Sequence, residues 1–111
     1  MIELFKESRP EIDISIIAVI DANGDLSVLG SDSGKLVQEL RGDWNYEYKA
    51  IVKKEDKDIL LEKLREQNVS LDSDEDLMSW LKVNYNHNEA YSKFIELLKE
   101  LVIKHSTFMW P

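Results

Sequence analysis

Residues 12–20, IDISIIAVI, are dense in β-branched side chains, and residues 25–29, DLSVL, alternate polar and apolar around Val28. Both predict strands. Between them stands Asp21-Ala22-Asn23-Gly24-Asp25, where Asn-Gly accepts the positive φ values of a two-residue hairpin turn. A hairpin here constrains the rest of the chain, because a sheet begun this way needs an apolar layer to cover it. With Asn23 and Gly24 at the turn centre, Val19 is expected opposite Val28.

Gly30-Ser31-Asp32-Ser33-Gly34 is expected to break the second strand, after which Leu36, Val37 and Leu40 recur at helical spacing and Gly42 is placed as a stop. Residues 45–53 alternate again. Tyr46, Tyr48, Ala50 and Val52 fall on one face and Glu47, Lys49, Ile51 and Lys53 on a wet one, which predicts a third strand. Residues 55–67 are strong helix formers with Ile59, Leu60 and Leu64 on one stripe. Asp72 and Glu75 have the spacing of a capping box, and Leu77, Met78, Trp80 and Leu81 carry the next helix to Val83. Asn86-His87-Asn88-Glu89 repeats that spacing. Tyr91, Phe94, Ile95, Leu98, Leu101, Val102 and His105 then define the face of a last helix, expected to be the longest. The tail, residues 106–111, either docks on the core or meets a partner. The expectation is one α+β domain over residues 1–111: an N-terminal β-hairpin, a helix, a third strand in a small, mainly antiparallel sheet, and three helices packed on it.

A length of 111 residues suits one domain, and 43% hydrophobic residues allow a core despite 32% charged ones. The balance of 14 basic against 22 acidic residues, −8 in all, repels phosphate backbones and anionic lipid, which argues against direct nucleic-acid or membrane binding. The same field steers a basic protein inward, although net charge also serves plain solubility. Without cysteine there is no disulfide framework, thiolate metal site or cysteine nucleophile. The acidic start, Met1 to Glu7, lacks the pattern of a signal peptide, and the longest apolar run, Ile16 to Ile20, falls far short of the ~20 residues of a membrane span. A cytoplasmic address is expected.

Candidate chemistry is thin. Asp21, Asn23 and Asp25 resemble the opening of a calcium loop, but the sixth position is Leu26 in place of glycine and the twelfth is Asp32 in place of glutamate, so the turn explains them better. Gly34-Lys35 lacks the upstream glycine of a phosphate loop, because Leu29 holds that position. His87 is expected at a helix start and His105 in the last helical turn, where the macrodipole favours a cation. No nucleophile-elbow sequence is present. The chain is expected to be no enzyme and to need no metal or cofactor.

Asp72, Asp74, Glu75 and Asp76 form the tightest acidic cluster, either complementing a helix N-terminus or belonging to an acidic face that meets Lys and Arg of a partner. Trp44, Trp80, Tyr85 and Trp110 lie at element edges, as core margin or as binding anchors of the types enriched in hot spots. The candidate partner-binding residues are therefore Asp72, Asp74, Glu75, Asp76, Trp80, Tyr85 and Trp110.

The stretch from Asp21 to Leu64, above all DSGKLVQELRGDWNYEY followed by EDKDILLEKL, resembles small acidic immunity proteins of bacterial polymorphic-toxin systems, the partners in contact-dependent growth inhibition. DLMSWL and the aromatic tail at Phe108 and Trp110 are similar in style. The resemblance implies a cytoplasmic protein that binds a cognate toxin domain, commonly a basic nuclease, in a 1:1 complex and blocks its active site. A rival reading is a bacterial adaptor or regulatory module with no toxin partner. A third, a small hydrolase, would need a deep pocket with two convergent acids in unlike environments.

Overall fold

A computed structural model describes residues 1–110 and forms from them β1 (Ile2–Arg9), β2 (Ile12–Ile20), β3 (Leu26–Ser33), α1 (Lys35–Arg41), β4 (Asn45–Val52), α2 (Lys54–Glu66), α3 (Asp74–Asn84), α4 (Ala90–Glu100) and β5 (Ser106–Trp110). The strands make one antiparallel sheet in the order β1-β2-β3-β4-β5. The class is α+β as expected, but the sheet gains a strand at each edge. β1 is hidden in the sequence because Glu3, Lys6, Glu7 and Arg9 interrupt its apolar residues. The tail docks as β5, built from too short a run to show a period.

The hairpin is present with a shifted register: Ala18, not Val19, stands opposite Val28. The loop has three residues rather than two, since Gly24 N donates to Asp21 O, Asp21 N donates to Asp25 O, and Gly24 takes a left-handed φ of 83°. The Asp21 carboxylate is occupied by the turn, accepting from Asn23 N and Asp25 N. A one-residue slip reverses which side chains meet the core. Ile16, Ala18, Leu26 and Val28 are accordingly fully buried, while Ile17, Val19 and Leu29 share the opposite face and are only partly buried.

Gly30 does not break β3. Its partner across the sheet is Tyr48, whose ring fills the space a side chain would need: a Cβ on Gly30 would lie 1.8 Å from Tyr48 Cε2. The break comes at Gly34, with φ 120°. At the other side of the sheet a bulge between Glu3 and Phe5 turns Leu4 into the core, where it is 1% exposed.

The core lies between one sheet face (Leu4, Ile16, Ala18, Leu26, Val28, Ala50, Val52) and the helices, which contribute Leu60, Leu64, Leu77, Leu81, Phe94 and Leu98. Four details of the helices depart from expectation. On α2 the inward residues are Lys57, Leu60 and Leu64, and Ile59 is 43% exposed. The cap of α3 is Ser73, not Asp72, because Ser73 Oγ accepts from Asp76 N at 3.1 Å. Glu89, not Asn86, precedes α4, and its N–H donates to His87 Nδ1. Finally, α4 stops at Glu100 with 11 residues, so α2 with 13 is the longest helix.

The early stop has a clear cause. Ile103 N bonds Leu98 O and Val102 N bonds Lys99 O, a Schellman ending that needs a left-handed residue at position 102. Val102 supplies it at φ 56°, an unfavourable conformation for a β-branched residue, held because Leu98 and Ile103 on either side of the turn are buried. Val102 is thereby thrown outward, 80% exposed, and His105 lies beyond the helix, its Nδ1 2.8 Å from Ile103 O. No helix among the described residues is long and apolar enough to cross a membrane.

Candidate protein-binding surface

Because successive strand residues alternate sides, the register lays out the sheet face turned away from the core in rows. Ile17, Leu29, Lys49 and Phe108 form one row, Ser15, Ser31, Glu47 and Trp110 the next, and Val19, Ser27, Ile51 and Ser106 a third. Ile17, Val19, Leu29 and Ile51 belong neither to the buried core nor to the residues packed against it. A groove of about 170 Å³ runs here, lined by Ser15, Ile17, Leu29, Ser31, Glu47 and Trp110 among others. At its margin Phe108 and Trp110 remain 50% and 40% exposed, on an edge strand without a charged residue. Half-buried aliphatic residues interleaved with polar ones and bordered by exposed aromatics are compatible with a protein-docking surface, whose anchors are commonly aromatic.

The acidic cluster lies together at the start of α3, but two of its members have internal tasks. Asp74 is 2.8 Å from the Nζ of Lys57, a lysine only 3% exposed, and Asp76 accepts from Asp72 N at 3.0 Å. These contacts favour helix-end stabilisation for Asp74 and Asp76. Asp72 and Glu75 point to solvent, Asp72 with Arg65 at 3.9 Å. Beside them α2 exposes Glu55, Asp58, Glu62 and Glu66, which recur at helical spacing opposite its buried side. The 3-4-4 spacing of that stripe is present in the sequence itself.

Trp80 and Tyr85 come together, edge to face at 5.8 Å, and Tyr85 meets Phe94 at 6.2 Å. Both pack partly buried against the core, so neither stands out as a free anchor. Burial, with help from Glu100 and Glu96, pushes the Tyr85 phenol above its ordinary pKa. A cleft of about 370 Å³ opens beside them, with Glu96, Glu100 and His87 on its walls. Glu96 and Glu100 are exposed one turn apart on the same helix, so they share one environment instead of the two that a general acid and base require. Trp110 is separated from both of these groups by the sheet, and the seven candidate residues thus divide among three places.

A fourth cluster contains none of the seven candidate residues. Arg41, Tyr46, Tyr48, Asp32, Tyr91, Asn88, Ser92 and Met109 enclose about 290 Å³ where α1, β4, β5 and the start of α4 meet. Tyr48 donates to Asp32 Oδ1 at 3.0 Å and stacks edge to face on Tyr91 at 4.6 Å, while the Arg41 guanidinium sits 4.1 Å from the Tyr46 ring centre. Burial raises the Asp32 carboxyl above its ordinary 3.8, against the lowering effects of the Tyr48 hydrogen bond and Arg41. A carboxyl raised in this way opposes folding increasingly as pH climbs from below 3.8 through its folded-state value. Burial also raises Tyr48, reinforced by Asp32, and raises Tyr91. The Tyr91 hydroxyl is buried without a hydrogen-bond partner among the described residues, a defect that costs about 1–3 kcal/mol. The inward pairing of Tyr46 and Tyr48 was readable in advance; the arrival of Tyr91 from α4 was not, because it depends on tertiary packing.

Among the described residues no group of three or more His, Asp or Glu side chains converges as metal ligands. Comparison with known proteins returned nothing: no family model, no curated protein and no solved structure matches the chain.

Proposed function

We propose that the protein is a non-catalytic inhibitor that binds a basic protein toxin domain, of the nuclease kind, in a 1:1 cytoplasmic complex and covers its active site. The observation that carries this reading is the uncovered sheet face edged by Phe108 and Trp110, on a molecule of net charge −8. The mixed face with its aromatic edge supplies contact area, and the acidic ridge of α2 and α3 supplies the sign of the partner's charge. A nuclease must hold polyphosphate, so its cleft is basic and an acidic protein competes for it. The resemblance of residues 21–64 to immunity proteins supports the same partner.

The test is a binding and inhibition assay with the product of the gene adjacent to this one. The expected result is a 1:1 complex in sedimentation and loss of toxin activity at stoichiometric inhibitor. Failure of that product to bind at micromolar concentration would overturn the reading. The uncharged β5 edge favours one rival, self-association of an adaptor through paired β5 strands. A stable homodimer of the pure protein, abolished by Trp110→Lys, would establish that rival instead.

A further inference from the structure

The cleft at the junction of α1, β4, β5 and α4 is lined by groups that suit a cation. Rings of Tyr46, Tyr48 and Tyr91 present π-faces and edges, Asp32 presents a carboxylate, and the buried Tyr91 hydroxyl has an oxygen with no partner among the described residues. Tyr91 is 9% exposed, so its hydroxyl is not answered by bulk solvent. One cation is already in place: the Arg41 guanidinium lies over Tyr46 at the mouth, delivered from the last turn of α1, and Arg41 itself is exposed. Aromatic faces with a carboxylate behind them recognise guanidinium and ammonium groups through ring quadrupole and charge.

We infer that this cleft is a socket for an arginine or lysine side chain of the basic partner, and that Arg41 occupies its mouth in the free protein as an exchangeable stand-in. The inference rests on the proposed binding of a basic protein and names where one of its side chains goes. An anion is the competing occupant, since Arg41 and the start of α4 both offer positive potential. Asp32 inside the cleft and the net charge of −8 outside it favour the cation.

The experiment uses the isolated protein, so it does not depend on any toxin. Methylguanidinium and acetate are titrated separately at fixed ionic strength while the tyrosine ring signals are followed by NMR. Methylguanidinium should shift the Tyr46, Tyr48 and Tyr91 rings, and Arg41→Ala should tighten its binding by removing the competitor. Tyr91→Phe keeps the ring and removes the oxygen; it should weaken binding by about tenfold, the loss of one hydrogen bond to a charged group, while leaving the protein at least as stable. Rings that stay still in Arg41→Ala, a response to acetate alone, or a Tyr91→Phe variant that binds as the parent does would each overturn the socket. Failure of the adjacent gene's product to bind, with the socket responding to methylguanidinium, would reject the proposed partner and leave the socket standing.

Discussion

The two edges of the sheet solve the same problem differently. β1 carries Glu3, Lys6, Glu7 and Arg9, is bent by the bulge at Leu4, and is covered in part by α3, whose Lys82 Nζ donates to Glu3 O at 2.6 Å. β5 reads Ser-Thr-Phe-Met-Trp, carries no charge, and is exposed along its whole length. Charges, bulges and covering elements are the devices by which edge strands avoid pairing with other chains. One edge has all three, and the other carries exposed aromatics. The difference leaves the β1 side protected and the β5 side open, and under the proposed function contact with the partner falls on the β5 side.

The largest expected effect tests the first half of that contrast. Leu4 is fully buried at the bulge, so Leu4→Ala should cost about 2–5 kcal/mol in chemical denaturation, with the affinity of the remaining folded protein for its partner unchanged. A loss of affinity in the folded fraction would mean that the β1 edge is itself an interface. Next in size, Trp110→Ala should weaken the partner complex by about 2 kcal/mol or more, roughly thirtyfold, with the melting temperature nearly unchanged because β5 is exposed. The matched change on the other edge, Lys6→Ala, should leave binding as it was. Equal effects from Trp110 and Lys6 in a calorimetric titration would erase the contrast.

How much of this contrast was legible in advance follows the physics of each segment. Strands β2 and β4 announce themselves by alternation and β-branching, and Gly34 and Gly42 punctuate α1 where expected, at φ 120° and 86°. The edges were not legible, because an edge strand needs only one buried face and shows it in few residues: Leu4 alone of β1 is fully buried, and none of β5 is. The hairpin register failed by one residue because Asn-Gly serves both two- and three-residue loops, and only the Asp21 hydrogen bonds select the longer one. The candidate residues fared according to locality. Asp72, Asp74, Glu75 and Asp76 are neighbours in sequence and stay together, whereas Trp110 reaches its face only through pairing with Glu47. Lys57, which closes on Asp74, was hidden among polar residues and is buried by the approach of α3.

The turn that launches β5 offers a smaller test. Val102 holds a left-handed conformation that glycine adopts freely, and its side chain is 80% exposed, so Val102→Gly should raise stability by about 1 kcal/mol. Partner affinity should hold, since the Schellman bonds of Val102 N and Ile103 N do not involve the side chain. A destabilised Val102→Gly in thermal melts would mean that the valine side chain makes a contact worth more than its backbone strain.

The smallest expected effect concerns the acidic ridge, which flanks the β1 side through α3 rather than the aromatic edge. Asp74 and Asp76 must be left intact, because one neutralises the buried Lys57 and the other accepts from Asp72 N. Replacing all four acids would confuse a weakened helix end with a weakened interface. Asp72→Asn with Glu75→Gln removes two solvent-facing charges and spares both contacts. Charges outside the contact act on encounter through their long-range field and not on lifetime, so the double variant should slow association by about threefold at low salt and leave dissociation nearly constant. The difference should fade as ionic strength approaches 0.15 M, where the screening length is about 8 Å. Stopped-flow association across a salt series reads both quantities. An association rate identical to the parent at every salt concentration would confine these carboxylates to local roles at the start of α3, and Glu55, Asp58, Glu62 and Glu66 on α2 would be the next acids to test for the attraction of a basic partner. A faster dissociation instead would place the α3 ridge inside the contact, and the division of labour between the two sides of the sheet would fail.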